Sequence, residues 1–226
     1  MASADRPQIL FVSLAYLEFF DQTYGPLMTR LLEVSRVKRA KTAAGALRAL
    51  ADNTFKAIII ADSGLIADDY DIKSTPETDE LLNKIKTYIE GGGLAIVGLH
   101  FPNFTNSNQF NTFFERFGLP WKRGDYHRTT FQHTSSGILP EGVQSASLPG
   151  PYSMKVLHVD NARPQEKIFV PVAGAKTQSL VFSPEYVDET QAAVVGAKIG
   201  KGNMVYCGDV NGESESNALM LALCGF

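Results

Sequence analysis

Three short, unbroken apolar runs constrain this chain most: QILFVSL at 8–14, AIIIAD at 57–62 and LAIVGL at 94–99. Each has the length of a strand and lacks the polar alternation of a half-exposed one, which is the pattern of strands covered on both faces of a parallel sheet. Helical patterns fill the intervals, at 22–34, 42–50 and 76–90. The third has the clearest signals: Ser74 and Thr75 precede Pro76, acidic residues load the first turn, and Gly91 to Gly93 close the other end. Strand–helix repetition with short connections predicts an α/β fold with a doubly wound, mostly parallel, right-handed sheet of the flavodoxin-like kind.

In such sheets ligands bind beyond the carboxyl ends of the strands, where strand order reverses. That rule singles out Tyr16, Glu18 and Asp21 after the first strand, Asp62 and Ser63 after the third, and His100 and Asn103 after the fourth. Beyond residue 118 the texture changes to β-rich pieces divided by Pro, Gly and Ser, at 126–134, 152–162, 167–173 and 179–185, which predicts an antiparallel extension of the sheet. The stretch 192–212 reads as two strands turned by IGKGN, and 214–223 as a closing helix with Ser214 as its cap. No repeat or linker divides residues 1–226, so a single domain is expected.

With 44% hydrophobic and 20% charged residues, the chain has ordinary globular proportions. Its net charge is −3 and no basic run extends beyond VKRAK at 37–41, so nucleic acid and anionic membranes are not expected as partners. No apolar window approaches the ~18 residues of a membrane helix. MASADRPQ lacks the regions of a secretory signal, and Cys207 and Cys224 form no framework, both of which fit the cytoplasm. Neither cysteine stands in a metal-binding cluster, so neither a metal site nor a cofactor is predicted.

GGGLAIVGLH at 91–100 resembles the strand that ends in a Gly-x-His element in the trehalose-utilisation (ThuA-like) proteins, within the class I glutamine amidotransferase-like superfamily. GKGNMVYCGDVNGE at 200–213 is similar to the last hairpin of such domains. The resemblance implies the amidotransferase-like fold over most of the chain. It does not carry the family's glutaminase chemistry across. Where those enzymes present a cysteine in a G-x-C-x-G elbow, this chain reads Gly98-Leu99-His100-Phe101-Pro102, and their His-Pro-Glu after the final strand is absent.

The residues then suggest a small-molecule crevice, with a carbohydrate-like ligand in view, built around His100. His100 would serve as base, with Asp62, Glu18 or Asp209 orienting it or sharing a divalent cation. A structural reading stands beside it, in which His100 braces the turn before Pro102 and Asp62 caps the next segment. Tyr16, Ser63, Phe101, Asn103 and Asn211 are further candidates for ligand contact. Phe19, Phe20, Tyr24, Phe104 and Trp121 either line the pocket or fill the core. Tyr126, His127 and Arg128 offer an anion-binding patch, although strand alternation would turn His127 and Arg128 to opposite faces. Two other classes stay open: a non-catalytic binding or scaffold module that has lost the nucleophile, and a serine esterase working through Ser63. A homodimer is compatible with the sequence.

Overall fold

The computed structural model describes residues 6–15, 19–66 and 75–226. Nine strands form one sheet: β1 (Gln8–Val12), β2 (Arg36–Ala40), β3 (Ala57–Ile60), β4 (Leu94–Val97), β5 (Lys122–His133), β6 (Tyr152–Asp160), β7 (Lys167–Pro171), β8 (Val194–Ile199) and β9 (Gly202–Cys207). Their order is β2-β1-β3-β4-β9-β8-β7-β5-β6. The first five strands in that order run parallel and the remaining pairings are antiparallel, so the sheet is mixed, and parallel only at one end. This corrects the expectation of a mostly parallel sheet. The β8–β9 hairpin feeds a parallel position beside β4 and turns the following strands antiparallel.

The apolar runs form β1, β3 and β4 because nothing polar interrupts either face, and both faces are covered. Helices α1 (Phe20–Val34) and α5 (Ser214–Leu223) cover one face. Helices α2 (Ala43–Asp52), α3 (Pro76–Glu90) and α4 (Ser107–Arg116) contribute to the core on the other. In α3 the Thr75 hydroxyl accepts from the Thr78 N–H and Pro76 opens the first turn, as the sequence predicts. VKRAK lies in β2, at the edge of the sheet.

Three features differ from expectation. Helix α4 has no counterpart in the sequence reading, although Asn106 and Gln109 form a reciprocal cap at its start and Phe110, Phe113 and Phe114 face the core. Segment 179–185 is a loop, because its apolar residues meet no strand: Leu180, Val181 and Phe182 point into solvent. Ser214 does not cap α5. Its hydroxyl donates to Glu215, and the Glu213 N–H is held instead by Asp209, four residues upstream.

The antiparallel half curls. Strand β6 ends the sheet, yet its outer edge is not free: the Leu157 N–H donates to the Gly208 carbonyl at 3.0 Å, Val210 donates to Lys155 at 3.0 Å, and Val159 and Ala192 exchange both bonds. An unpaired edge is thereby covered. The approach requires glycine at 208, where a Cβ would stand 2.3 Å from the Leu157 carbonyl oxygen and 2.9 Å from that of Ala193. Gly208→Ala should lower stability by about 3 kcal/mol, measured by urea denaturation. A loss below about 0.5 kcal/mol, ordinary for surface positions, would show that the closure is not tight.

Candidate functional site

At the carboxyl end of β4 the chain turns through Gly98, Leu99 and His100. The His100 N–H donates to the Ala61 carbonyl at 2.9 Å, which ties this corner to the end of β3. Leu99 carries φ 61°, and Asn161 is the only other non-glycine residue with positive φ among the described residues. Asparagine visits the left-handed region readily and leucine does not. The strained corner after β4, where an elbow presents its nucleophile, is therefore Leu99, one residue earlier than the sequence pattern suggests. Its side chain is buried and lines a cavity of about 20 Å³ with Tyr24, Tyr152, Cys207, Asp209 and Ser216. That space holds roughly one water.

His100 is only 2% exposed. Four rings enclose its imidazole: Phe20 and Tyr24 with centroids at 4.9 Å, Phe19 at 5.0 Å and Phe104 at 5.3 Å. Among the described residues Nδ1 has no hydrogen-bond partner, and neither has the buried Tyr24 hydroxyl. Burial lowers the His100 pKa, and the nearby Asp62 charge opposes that shift.

Asp62 is also buried, and its carboxylate is occupied. Oδ1 accepts from the N–H of Leu14 at 3.1 Å and of Gly64 at 3.0 Å, and Oδ2 accepts from Ala15 at 3.2 Å. Asp209 is engaged in the same way, accepting from the Asn211 N–H at 2.9 Å and the Glu213 N–H at 2.8 Å. Burial raises its pKa, and hydrogen bonds, led by Ser216, oppose that shift. Asn211 thus enters only through its backbone. Asn103 bridges outward: its amide donates to the Val210 carbonyl at 3.0 Å and accepts from the Tyr126 hydroxyl at 3.1 Å.

The remaining candidates disperse. Phe101 turns into the opposite core layer against Phe110, Phe113, Phe114 and Tyr206 and offers no face to a ligand. Trp121 is fully buried there, its indole N–H donating to Glu166 at 3.0 Å. Ser63 is half-buried, and among the described residues no histidine hydrogen-bonds it. Tyr16 and Glu18 lie outside the described residues. His127 and Arg128 part company as alternation requires. Arg128 donates to Glu213 at 2.5 Å and to the Ser153 hydroxyl at 3.3 Å, whereas the His127 ring lies 4.3 Å from that of the fully buried His158. The sequence reading missed Tyr24 as a polar wall and Glu213 as the partner of Arg128. The long-range register of β5 against α5, which joins that ion pair, leaves no local pattern.

Neither a family model nor a curated protein matches this chain in sequence. Solved structures do match it. A ThuA-like protein of Bacteroides uniformis aligns over 99% of this chain and 92% of its own, with TM-score 0.58 and 11% identity. A second, from Parabacteroides merdae, aligns over 97% and 88%, with TM-score 0.55 and 11% identity. The mmIFT52 N-terminal domain aligns over 96% and 97%, with TM-score 0.58 and 13% identity. The chain therefore has an α/β fold shared with this class of domains. More particularly, it is the fold of the ThuA-like proteins.

Two outcomes test this geometry. Asp62→Ala leaves three backbone N–H groups without their acceptor and should lower stability by about 3 kcal/mol, read by chemical denaturation. His158 donates through Nδ1 to the Asp125 carbonyl at 2.9 Å, and burial, then the neighbouring His127, push its pKa down to about 4. The unfolded chain binds that proton near pH 6.5, so stability should fall as pH drops from there, by about 3 kcal/mol at pH 4. His158→Gln should flatten that slope, and an unchanged slope would show that another group sets it.

Proposed function

We propose that this chain is a non-catalytic binding module with the ThuA-like fold, acting in the cytoplasm on a small, polar, carbohydrate-like ligand. The observation that carries this reading is Leu99 at the strained corner after β4. A backbone held in an unfavourable conformation is characteristic of functional sites. Here it presents an isobutyl group to a cavity of about 20 Å³, which has no room for a substrate. The surrounding groups agree. Burial pushes the Cys207 thiol well above its usual range, so no thiolate stands in for the absent nucleophile. The carboxylates of Asp62 and Asp209 hold backbone N–H groups, and His100 is enclosed by rings. Among the described residues no helix is long and apolar enough to cross a membrane.

One observation favours a second reading, an acid–base site centred on His100: Nδ1 of His100 and the Tyr24 hydroxyl are both without partners among the described residues. Displacement of the half-exposed Phe19 and Phe104 rings would open the imidazole to a substrate. Assays with p-nitrophenyl esters, p-nitrophenyl glycosides and glutamine separate the two. The module should give no turnover above the uncatalysed rate. Turnover that disappears in His100→Ala or Ser63→Ala, with circular dichroism unchanged, would overturn the non-catalytic reading.

A further inference from the structure

A wide open groove lies away from the strand-end corner. It has a volume of about 580 Å³ and runs between Tyr126 and Arg128 of β5, Lys155 of β6 and the loop 177–185. Its size falls within the range of small-molecule sites, roughly 300–1,000 Å³. The loop is held open by its base. Gln178 donates its backbone N–H to the Arg128 carbonyl at 2.8 Å and its amide to Thr130 at 3.0 Å, and it accepts from the Ser153 hydroxyl at 2.6 Å. The Ser179 hydroxyl oxygen accepts from the N–H groups of Val181 and Phe182, both at 3.1 Å, which fixes the turn. The groove is thus preformed, and a ligand entering it has no loop to order.

Two exposed aromatic rings border it, Tyr126 at 43% exposure and Phe182 at 77%. Between them stand polar groups that have no protein hydrogen-bond partner among the described residues: the Lys155 ammonium, the Ser183 hydroxyl and the Glu185 carboxylate. Lys155 instead rests 4.8 Å from the centre of the Tyr126 ring. The local charges balance, Arg128 and Lys155 against Glu185 and Glu213. A phosphate-binding site would carry an excess of cations. Balanced donors and acceptors beside exposed aromatic rings, one of them already beneath the displaceable Lys155 ammonium, suit a neutral polyhydroxylated ring, whose hydroxyls both give and take hydrogen bonds and whose C–H faces are apolar.

We infer that this groove is the ligand site, and that it takes a neutral sugar whose ring packs against Tyr126 and Phe182 while its hydroxyls reach Lys155, Ser183 and Glu185. The inference rests on the binding-module reading and names its ligand and its place. Ligand-observed NMR titrations with glucose, maltose and cellobiose test it, with glucose 6-phosphate and gluconate as charged comparisons. Phe182→Ala removes a ring on an exposed loop and should keep the parent melting temperature; Tyr126→Ala also removes the bond to Asn103, so circular dichroism checks that its fold is unchanged. Each should weaken binding of a neutral sugar about tenfold, a loss of about 1.4 kcal/mol. The groove is ruled out if no neutral sugar binds the parent, or if affinity survives in both variants and falls in Phe104→Ala. Binding of the charged sugars alone would overturn the neutral assignment. Turnover of a bound sugar by the parent would defeat the non-catalytic reading while leaving the location of the groove to the two variants.

Discussion

One carboxylate sets the shape of the strand-end region. Asp62 stands just after β3, and its oxygens accept N–H groups from Leu14 and Ala15, beyond the end of β1, and from Gly64 in its own loop. Strand order reverses between β1 and β3, which is where an open α/β sheet parts to admit a ligand. Among the described residues this parting is closed by backbone held on the buried Asp62 carboxylate. The two loops pack so tightly that a Cβ on Gly64 would meet the Ala15 nitrogen at 2.5 Å. The corner after β4 is drawn into the same arrangement through the His100 N–H and the Ala61 carbonyl.

The closed parting gives the second half of the chain its importance. Strands β5 to β8 extend the sheet antiparallel and curl until β6 bonds back to the residues flanking β8 and β9. The curl protects an edge, and it also sets Lys155 of β6 and Tyr126 and Arg128 of β5 beside the loop 177–185. The Arg128–Glu213 ion pair links that surface to the start of α5. Among the described residues, open concave surface lies where the sheet curls, and the corner after β4 is packed.

The parallel half was readable from sequence because its signals are local. Unbroken apolar runs yield β1, β3 and β4, and Thr75-Pro76 begins α3 where the capping pattern places it. Segment 179–185 failed for an instructive reason: Leu-Val-Phe has strand propensity, but propensity without a pairing partner makes no strand. Helix α4 has no counterpart in the sequence reading although Asn106 and Gln109 are a capping pair and Phe110, Phe113 and Phe114 recur at helical spacing. At the site, Asp62 and His100 were correctly placed at strand ends. Their commitments were not readable, since the N–H groups that occupy Asp62 and the rings that enclose His100 are brought there by chain distant in sequence. The strain at Leu99 leaves no trace in residue type at all.

The contacts that stabilise this corner also occupy the groups that a catalytic reading would need. An ionised carboxylate offers about four acceptor positions, and Asp62 uses three of them on backbone N–H groups. It can bias the charge of the His100 ring, as its opposition to the burial-induced pKa shift shows, but it has little capacity left to fix a tautomer. A general base needs access to the substrate's proton as well as a suitable pKa. The imidazole, packed against Phe19, Phe20, Tyr24 and Phe104, has among the described residues neither an aligned partner at Nδ1 nor an open face. On the binding-module reading, a nucleophile placed at Leu99 by a single change would therefore give no catalysis. The new group would face a cavity the size of one water, beside a carboxylate whose oxygens already hold the start of α5.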